Sequence, residues 1–249
     1  MTVSRKNILA AIRSALEPLP FTHALWEGGA AAFGRVDEFS DIDLIVDVDD
    51  DQVEQALAVV EAALTGLAPI ELKYEIPQPT WHGHAQTFFR LAGSGPFLLV
   101  DMAVVRHSNP NKFLEREIHG DLVVHFDKDG TTTPPDFDPA ALAASLQARR
   151  AKLKTLFALF QSLTLKEINR KAWIEALAFY QAYTLRPLIE ALRIRAGSPR
   201  AAFATRYVYH DLTREEIARL EKLYFVSDGA DLARKQAEAA GWFWEITAD

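Results

Sequence analysis

The chain contains no cysteine. Disulfide frameworks, thiolate metal centres and cysteine nucleophiles are therefore excluded. It also lacks an excess of positive charge: 27 Lys and Arg stand against 34 Asp and Glu, a formal net charge of −7. That balance argues against sequence-independent binding of bulk nucleic acid or of an anionic membrane. It leaves room for a local basic pocket around a triphosphate. Residues 1–19 carry charges through a helical pattern and hold no uninterrupted apolar core. They are unlike a signal peptide or a membrane span, so the expected compartment is the cytoplasm. Internal repeats and low-complexity segments are missing too. What is present is an ordinary globular composition, 49% hydrophobic and 24% charged, over 249 residues. That is enough chain for one large core or two modest ones.

Ile8, Leu9, Ile12 and Leu16 predict a first helix, with Ser4 as N-cap and Pro18 beyond its end. A short strand over 21–27 leads into a glycine turn, and a second strand is expected over 42–48. Asp49, Asp50 and Asp51 read as residues that favour the N-terminal dipole of a helix carrying Val53, Leu57, Val60 and Leu64. Strands over 69–76, 86–92 and 97–105 follow, the last two joined by Gly93-Ser94-Gly95-Pro96 as a hairpin loop. A short helix over 112–118 and a strand over 122–126 close this region. The polar, proline-bearing Thr131-Thr132-Thr133-Pro134-Pro135 predicts a linker, which divides the chain into 1–133 and 134–249. Helical signals dominate the second part. They run over 140–163, after Asp138-Pro139 as N-cap and first helical residue, then over 166–195 with a kink at Pro187. Thr213-Arg214-Glu215-Glu216 opens a further helix as a capping box, and the last spans 229–246.

The chemistry is concentrated in Gly28-Gly29-Ala30-Ala31-Ala32-Phe33-Gly34-Arg35, followed by Ser40-Asp41-Ile42-Asp43-Leu44. A glycine-rich turn lets backbone N–H groups approach an anion. The strand after it places Asp41 and Asp43 on one face, because side chains alternate with period two. Asp101 lies in the otherwise apolar run Phe97-Leu98-Leu99-Val100-Asp101-Met102-Ala103-Val104-Val105. Burying a lone aspartate there is costly without a partner, such as Arg90, or a metal. Transfer of a nucleotide needs its α-phosphate held in line and its charge neutralised. Two cations about 4 Å apart do both, and such hard ions take carboxylate oxygens.

Gly29-Ala30, Gly34 and Ser40-Asp41-Ile42-Asp43-Leu44, with Asp101 further along, resemble the nucleotidyltransferase (polymerase-β-like) superfamily over roughly residues 20–105. The resemblance implies that Asp41, Asp43 and Asp101 hold two Mg²⁺ ions, and that Gly28, Gly29, Ala30, Gly34, Arg35 and Ser40 surround the nucleotide. Ala30 departs from the pattern, since the family usually carries a serine there that donates to a terminal phosphate. Ser40 is expected to fix the entry to the strand. The chain length, with a helical region after the core, is similar to the small-molecule branch that includes aminoglycoside adenylyltransferases. That implies an α+β fold: a mixed, mostly antiparallel sheet with flanking helices, then an all-α C-terminal domain, with NTP and acceptor between the two. The implied activity is transfer of an NMP, AMP from ATP, to a hydroxyl or amine of a small molecule with release of pyrophosphate. The alternatives are transfer to a protein, and an NTP-binding regulatory module without turnover, which Ala30 favours. The acceptor, the nucleobase and the oligomeric state are not legible.

Other residues invite functional readings of lower specificity. Arg35 could touch phosphate or pair with Asp37. Lys171, Tyr183 and Arg186 could face the nucleotide, and Glu167 or Glu175 could act as general base. Trp81-His82-Gly83-His84 supplies two imidazoles, which bind zinc only with a third ligand from elsewhere; a loop over the sheet edge, lining the acceptor site, is preferred. Tyr207 and Tyr209, near His210 and Asp211, are suited to touching an acceptor. Trp173, Phe179, Tyr180 and Leu188 read as core, and Trp242 and Trp244 as terminal docking residues.

Overall fold

The computed structural model describes residues 3–248, and the chain divides between Phe137 and Asp138 into two compact units. This division falls a few residues beyond the proline-bearing linker. The fold is α+β, with a mixed sheet and flanking helices in the first unit and an all-helical second unit.

In the first unit α1 (Arg5–Leu16) opens on Ser4, whose Oγ accepts from the Asn7 N–H at 3.3 Å. Then come β1 (Thr22–Glu27), a single helical turn α2 (Gly29–Ala32), β2 (Ile42–Val48), α3 (Val53–Leu67) and β3 (Ile70–Glu75). They are followed by β4 (Ala85–Leu91), β5 (Val100–Arg106), a second single turn α4 (Arg116–His119) and β6 (Val123–Asp127). The strands form one sheet in the order β3-β4-β5-β2-β1-β6. All neighbours are antiparallel except β2 and β5, which run parallel at its centre.

The two faces of this sheet differ. On one, Ile42, Leu44, Val46 and Val48 of β2 and Val100, Met102 and Val104 of β5 pack with Ile8, Ile12 and Leu16 of α1 and Ala56, Val60 and Leu64 of α3. Each large aliphatic side chain buried there contributes about 1.5–3 kcal/mol. The opposite face holds only a small apolar cluster around Ala24, Trp26 and Val105, with Ile45, Leu114 and Leu122 against it. Asp43, Asp101 and Gln86 lie on this second face, because they alternate with residues of the main core.

Two expectations need correction here. The carboxylates of the Asp49–Asp51 run do not cap α3, whose N-cap is Gln52 with no side-chain bond. Asp50 instead accepts from the Ser108 N–H at 3.0 Å and from its hydroxyl, and Asp49 accepts from His23 at 2.9 Å. Asp47, fully buried near the end of β2, is ion-paired with Lys112 and lies 3.1 Å from His107 Nδ1, so the chain after β5 is tied to β2. The helix over 112–118 shrinks to the single turn α4.

The second unit begins with α5 (Pro139–Arg170), capped by Asp138, whose carboxylate accepts from the Ala140 and Ala141 N–H groups. It is one unbroken helix, so the interruption expected near 163–166 does not occur; the stop is Lys171, in the left-handed region at φ +61°. Next are α6 (Trp173–Phe179), a π-helical segment (Tyr180–Leu185) and α7 (Arg186–Arg195). α6, the π-helical segment and α7 follow one another without a gap, and Pro187 comes directly after the π segment, whose wider turn accommodates the missing N–H. After α8 (Val208–Asp211), a capping box between Thr213 and Glu216 opens α9 (Arg214–Tyr224), and α10 (Gly229–Thr247) closes the unit. Tyr180, Leu188 and Trp242 are core, but Trp173 and Trp244 are 42% and 41% exposed. Trp173 covers the start of α10, where a Cβ on Gly229 would fall 2.6 Å from its ring. Among the described residues no helix is long and apolar enough to cross a membrane.

Candidate active site

Because β2 and β5 are parallel and their first residues, Ile42 and Val100, are register partners, their N-terminal ends coincide. Asp43 is the register partner of Asp101. Parallel partners project to the same face of adjacent strands about 4.8 Å apart, so the two carboxylates stand side by side. Both are half-buried. Asp41 lies just outside the strand, two residues before Asp43, and the Ile42 N–H donates to the Leu99 carbonyl at 2.8 Å to hold this end closed.

The glycine turn presses directly on the pair. The Gly28 N–H donates to the Asp43 carbonyl at 2.9 Å. Gly29 has φ +53°, and a Cβ placed on it would fall 1.6 Å from Asp43 Oδ2 and 2.6 Å from its Cγ. Glycine is required at 29 both for its backbone conformation and for room. The first N–H groups of a helical turn have no partner within that turn, so those at the start of α2 are directed outward beside Asp43. Ala30 adds only a methyl group. Gly34 ends the turn at φ +63°, its N–H donating to Ala31.

Ser40 and Arg35 are both committed within the protein. The Ser40 hydroxyl donates to Asp37 Oδ1 at 2.7 Å and accepts from the Asp37 N–H at 2.9 Å, building the turn before β2. Arg35 stacks over the Phe33 ring, its guanidinium carbon 4.6 Å from the ring centre. Arg90 belongs to an ion pair with Glu71 at 3.3 Å.

Three residues that sequence reasoning passed over complete the surroundings. Gln86 of β4 donates from Nε2 to Asp101 Oδ1 at 2.7 Å, fixing one oxygen of that carboxylate. Arg5 of α1 donates to the Asp41 carbonyl and is ion-paired with Glu27, the buried last residue of β1. Burial lowers the pKa of Arg5, while Asp43 and then Asp41 act in the opposite direction. The signal for Gln86 was weak: it shares one face of β4 with Phe88 and Arg90, so only two of those three positions are polar. For Arg5 and Glu27 no local signal exists.

Other candidates lie elsewhere. His84 is fully buried, its Nε2 bonded to the Asn111 carbonyl at 2.5 Å, and its ring packs on Phe113 with His82 beside it. Burial holds both imidazoles below their ordinary pKa. Ala85 pairs with Val104, so this loop sits at the far end of β5 from Asp101 and does not line the carboxylate end. In the second unit Glu167 is buried and paired with Arg170, and Tyr183 stacks on Phe160 at 5.3 Å. Tyr183 and Arg186 line an open cleft of about 330 Å³ together with Arg149, Phe157 and Glu190. Asp211 is 1% exposed at its side chain and held by Arg193 and Arg200, which makes it a structural residue. Tyr209 donates to Glu221 at 2.9 Å.

Among the described residues no three His, Asp or Glu side chains form a cluster able to hold an ion. The donor chemistry of the Asp43–Asp101 pair nevertheless fits Mg²⁺. That ion is usually held by one or two carboxylates with phosphate oxygens and water completing the octahedron.

No family model matches the chain, and no curated protein does. Among solved structures it is similar to an aminoglycoside 6-adenyltransferase from Bacillus subtilis, at 10% identity and a TM-score of 0.38, over 97% of this chain and 87% of that one. It is also similar to the spectinomycin adenyltransferase AAD(9) from Enterococcus faecialis, solved with ATP and spectinomycin, at 10% identity and a TM-score of 0.38, over 96% of this chain and 98% of that one.

Proposed function

We propose that the chain is a nucleotidyltransferase that moves an NMP, AMP from ATP, onto a hydroxyl or amine of a small molecule. The observation that carries this reading is the side-by-side placement of Asp43 and Asp101 under a turn whose Gly29 has no room for a side chain. A sheet end that only needed to be stable would not set two carboxylates together on one face, since like charges directly opposite are destabilising.

Asp43 and Asp101 would hold Mg²⁺, with Asp41 contributing a further carboxylate toward a second ion. When bound, the metal neutralises phosphate charge and acidifies the attacking hydroxyl. Gln86 keeps one Asp101 oxygen occupied and so orients the other. The N–H groups at the start of α2 cradle the phosphates, without a hydroxyl from position 30. Arg35, steadied on Phe33, supplies positive charge beside that turn. The acceptor oxygen or nitrogen attacks the α-phosphorus and gives up its proton to solvent, the bond to the bridging oxygen breaks, and pyrophosphate leaves with the electron pair.

The test is thermal unfolding with ATP, GTP, CTP and UTP, each with and without Mg²⁺, on wild type and Asp43→Asn. Saturation at a hundred times Kd stabilises by about 2.7 kcal/mol. A Mg²⁺-dependent rise that Asp43→Asn abolishes, followed by pyrophosphate release in an acceptor panel, is the expected result. Turnover by Asp43→Asn at the wild-type rate refutes it. Nucleotide binding with no pyrophosphate release from any acceptor favours the regulatory module, to which Ala30 points.

A further inference from the structure

Arg5 lies in the first turn of α1, where a basic side chain opposes the helix dipole and would normally extend into water. It turns inward instead. One guanidinium nitrogen donates to the Asp41 carbonyl and another meets Glu27, which is 3% exposed. Glu27 pairs in register with Leu44, so this ion pair sits on the helix-covered face, beneath the strand end that carries Asp41 and Asp43. The second Glu27 oxygen is 3.5 Å from His125 Nε2, and burial keeps that imidazole below its ordinary pKa, neutral at pH 7. Glu27 thus lies buried between His125 and Arg5, and its ion pair is with Arg5. A guanidinium does not give up its proton in a protein, so a permanent positive charge lies behind the strand end that carries Asp41 and Asp43, and both act on it electrostatically.

We propose that Arg5 is a built-in counter-charge that weakens the grip of Asp43 and Asp101 on a free divalent cation, so that the cation binds well only together with a triphosphate. The proposal rests on the nucleotidyltransferase reading. Without a cation, Arg5 offsets the mutual repulsion of the carboxylates and keeps them in place. A free cation entering the site meets that same charge. A triphosphate brings several negative charges and outweighs it. Arg5 is in this sense a positioning residue that acts through the carboxylates.

The test uses Mn²⁺ as the probe, titrated into the full chain at neutral pH without nucleotide and read as free Mn²⁺ by electron paramagnetic resonance. Arg5→Gln is expected to bind Mn²⁺ about tenfold tighter and Glu27→Gln about tenfold weaker. The double variant, which removes both charges, should bind tighter than wild type but less tightly than Arg5→Gln, and Arg5→Lys should stay within about threefold of wild type. A purely structural role weakens binding in every variant. Equal or weaker binding by folded Arg5→Gln therefore overturns the proposal. If Arg5→Gln does not fold, the double variant against Glu27→Gln decides, and binding by the double variant no tighter than by Glu27→Gln overturns it. Asp43→Asn separates the two readings: if it retains Mn²⁺ the site itself is misplaced, whereas loss of Mn²⁺ there with no opposite signs at 5 and 27 removes only the counter-charge.

Discussion

Replacing Gly29 by alanine probes the site through one methyl group. The new Cβ would lie 1.6 Å from Asp43 Oδ2, against the 3.4 Å at which ordinary contact begins, so the carboxylate must retreat by 3.4 − 1.6 = 1.8 Å. Rotation alone does not suffice, because the Asp43 Cβ would also be at 3.1 Å. A misplacement of about 1 Å at a reacting centre costs on the order of a hundredfold in rate. Holding alanine in the left-handed region adds about 1–3 kcal/mol of destabilisation. Gly93→Ala separates the two effects. That residue, at φ +76° in the β4–β5 hairpin, has nothing within 4 Å of the point where the new methyl group would stand, and so carries the strain without the collision. Both variants should lose stability in urea by similar amounts. Only Gly29→Ala should lose nucleotide transfer, by a hundredfold or more, together with Mn²⁺ affinity. If Gly29→Ala transfers nucleotide as fast as Gly93→Ala, the turn does not control Asp43 and the site argument fails.

Gln86→Leu removes the donor to Asp101 Oδ1 and is expected to lower activity or metal affinity by about 10–100-fold, measured as kcat against Mg²⁺ concentration; an unchanged Mg²⁺ profile refutes the role. Asp101→Asn relieves a like-charge pair and should raise stability in the presence of EDTA by about 0.2–1 kcal/mol while abolishing stabilisation by Mg²⁺ with ATP, both read from urea midpoints. Arg193→Met removes one of the two guanidinium groups paired with buried Asp211, together with the donors to the Ala204 and Arg206 carbonyls, and should cost about 3–5 kcal/mol in the unfolding of the helical unit; a loss below about 1 kcal/mol would contradict the burial. For His23, burial opposes protonation, but the bonds to Asp129 and Asp49 outweigh it and raise the pKa. Its stabilising contribution is then complete below the unfolded pKa of about 6.5 and disappears as pH rises through the folded value. His23→Gln should lose stability at pH 6 and little at pH 9, and an equal loss at both pH values refutes the linkage.

The sequence made the carboxylates legible for a definite physical reason. Asp41, Asp43 and Asp101 interrupt apolar strands, and such interruptions are costly unless something uses them. Local devices were equally readable: the Ser4 and Asp138 caps, the Thr213–Glu216 capping box and the Gly93–Pro96 hairpin are each complete within a few residues. Errors arose where the deciding partner is distant in sequence. The Asp49–Asp51 run has the composition of a cap, but Ser108 and His23 compete for its carboxylates. Residues 163–166 show a weakened apolar pattern, yet the helix continues because Thr164 and Glu167 are buried by the rest of the second unit. Arg5 and Gln86 drew no reading from the sequence, and only the assembled sheet gives them Asp41 and Asp101 as partners.

The parallel pairing of β2 and β5 is the step no local pattern announces, and the site depends on it. In an otherwise antiparallel sheet, neighbouring strands bring the start of one against the end of the next. An antiparallel β5 would place Asp101, its second residue, toward the opposite end of β2, near Val46 or Asp47. Parallel pairing makes two chain entries coincide, and each entry carries a carboxylate on the same face. It also explains why the flanking partners come from separate elements: Gly29 arrives from the loop before β2, Gln86 from β4 and Arg5 from α1. The opposite face is then given to Ile42, Leu44, Val100, Met102 and the two helices, with the Arg5–Glu27 ion pair at its edge. Stability is drawn from that side of the strands, and the like-charge pair of Asp43 and Asp101, which would weaken a core, stands on the other.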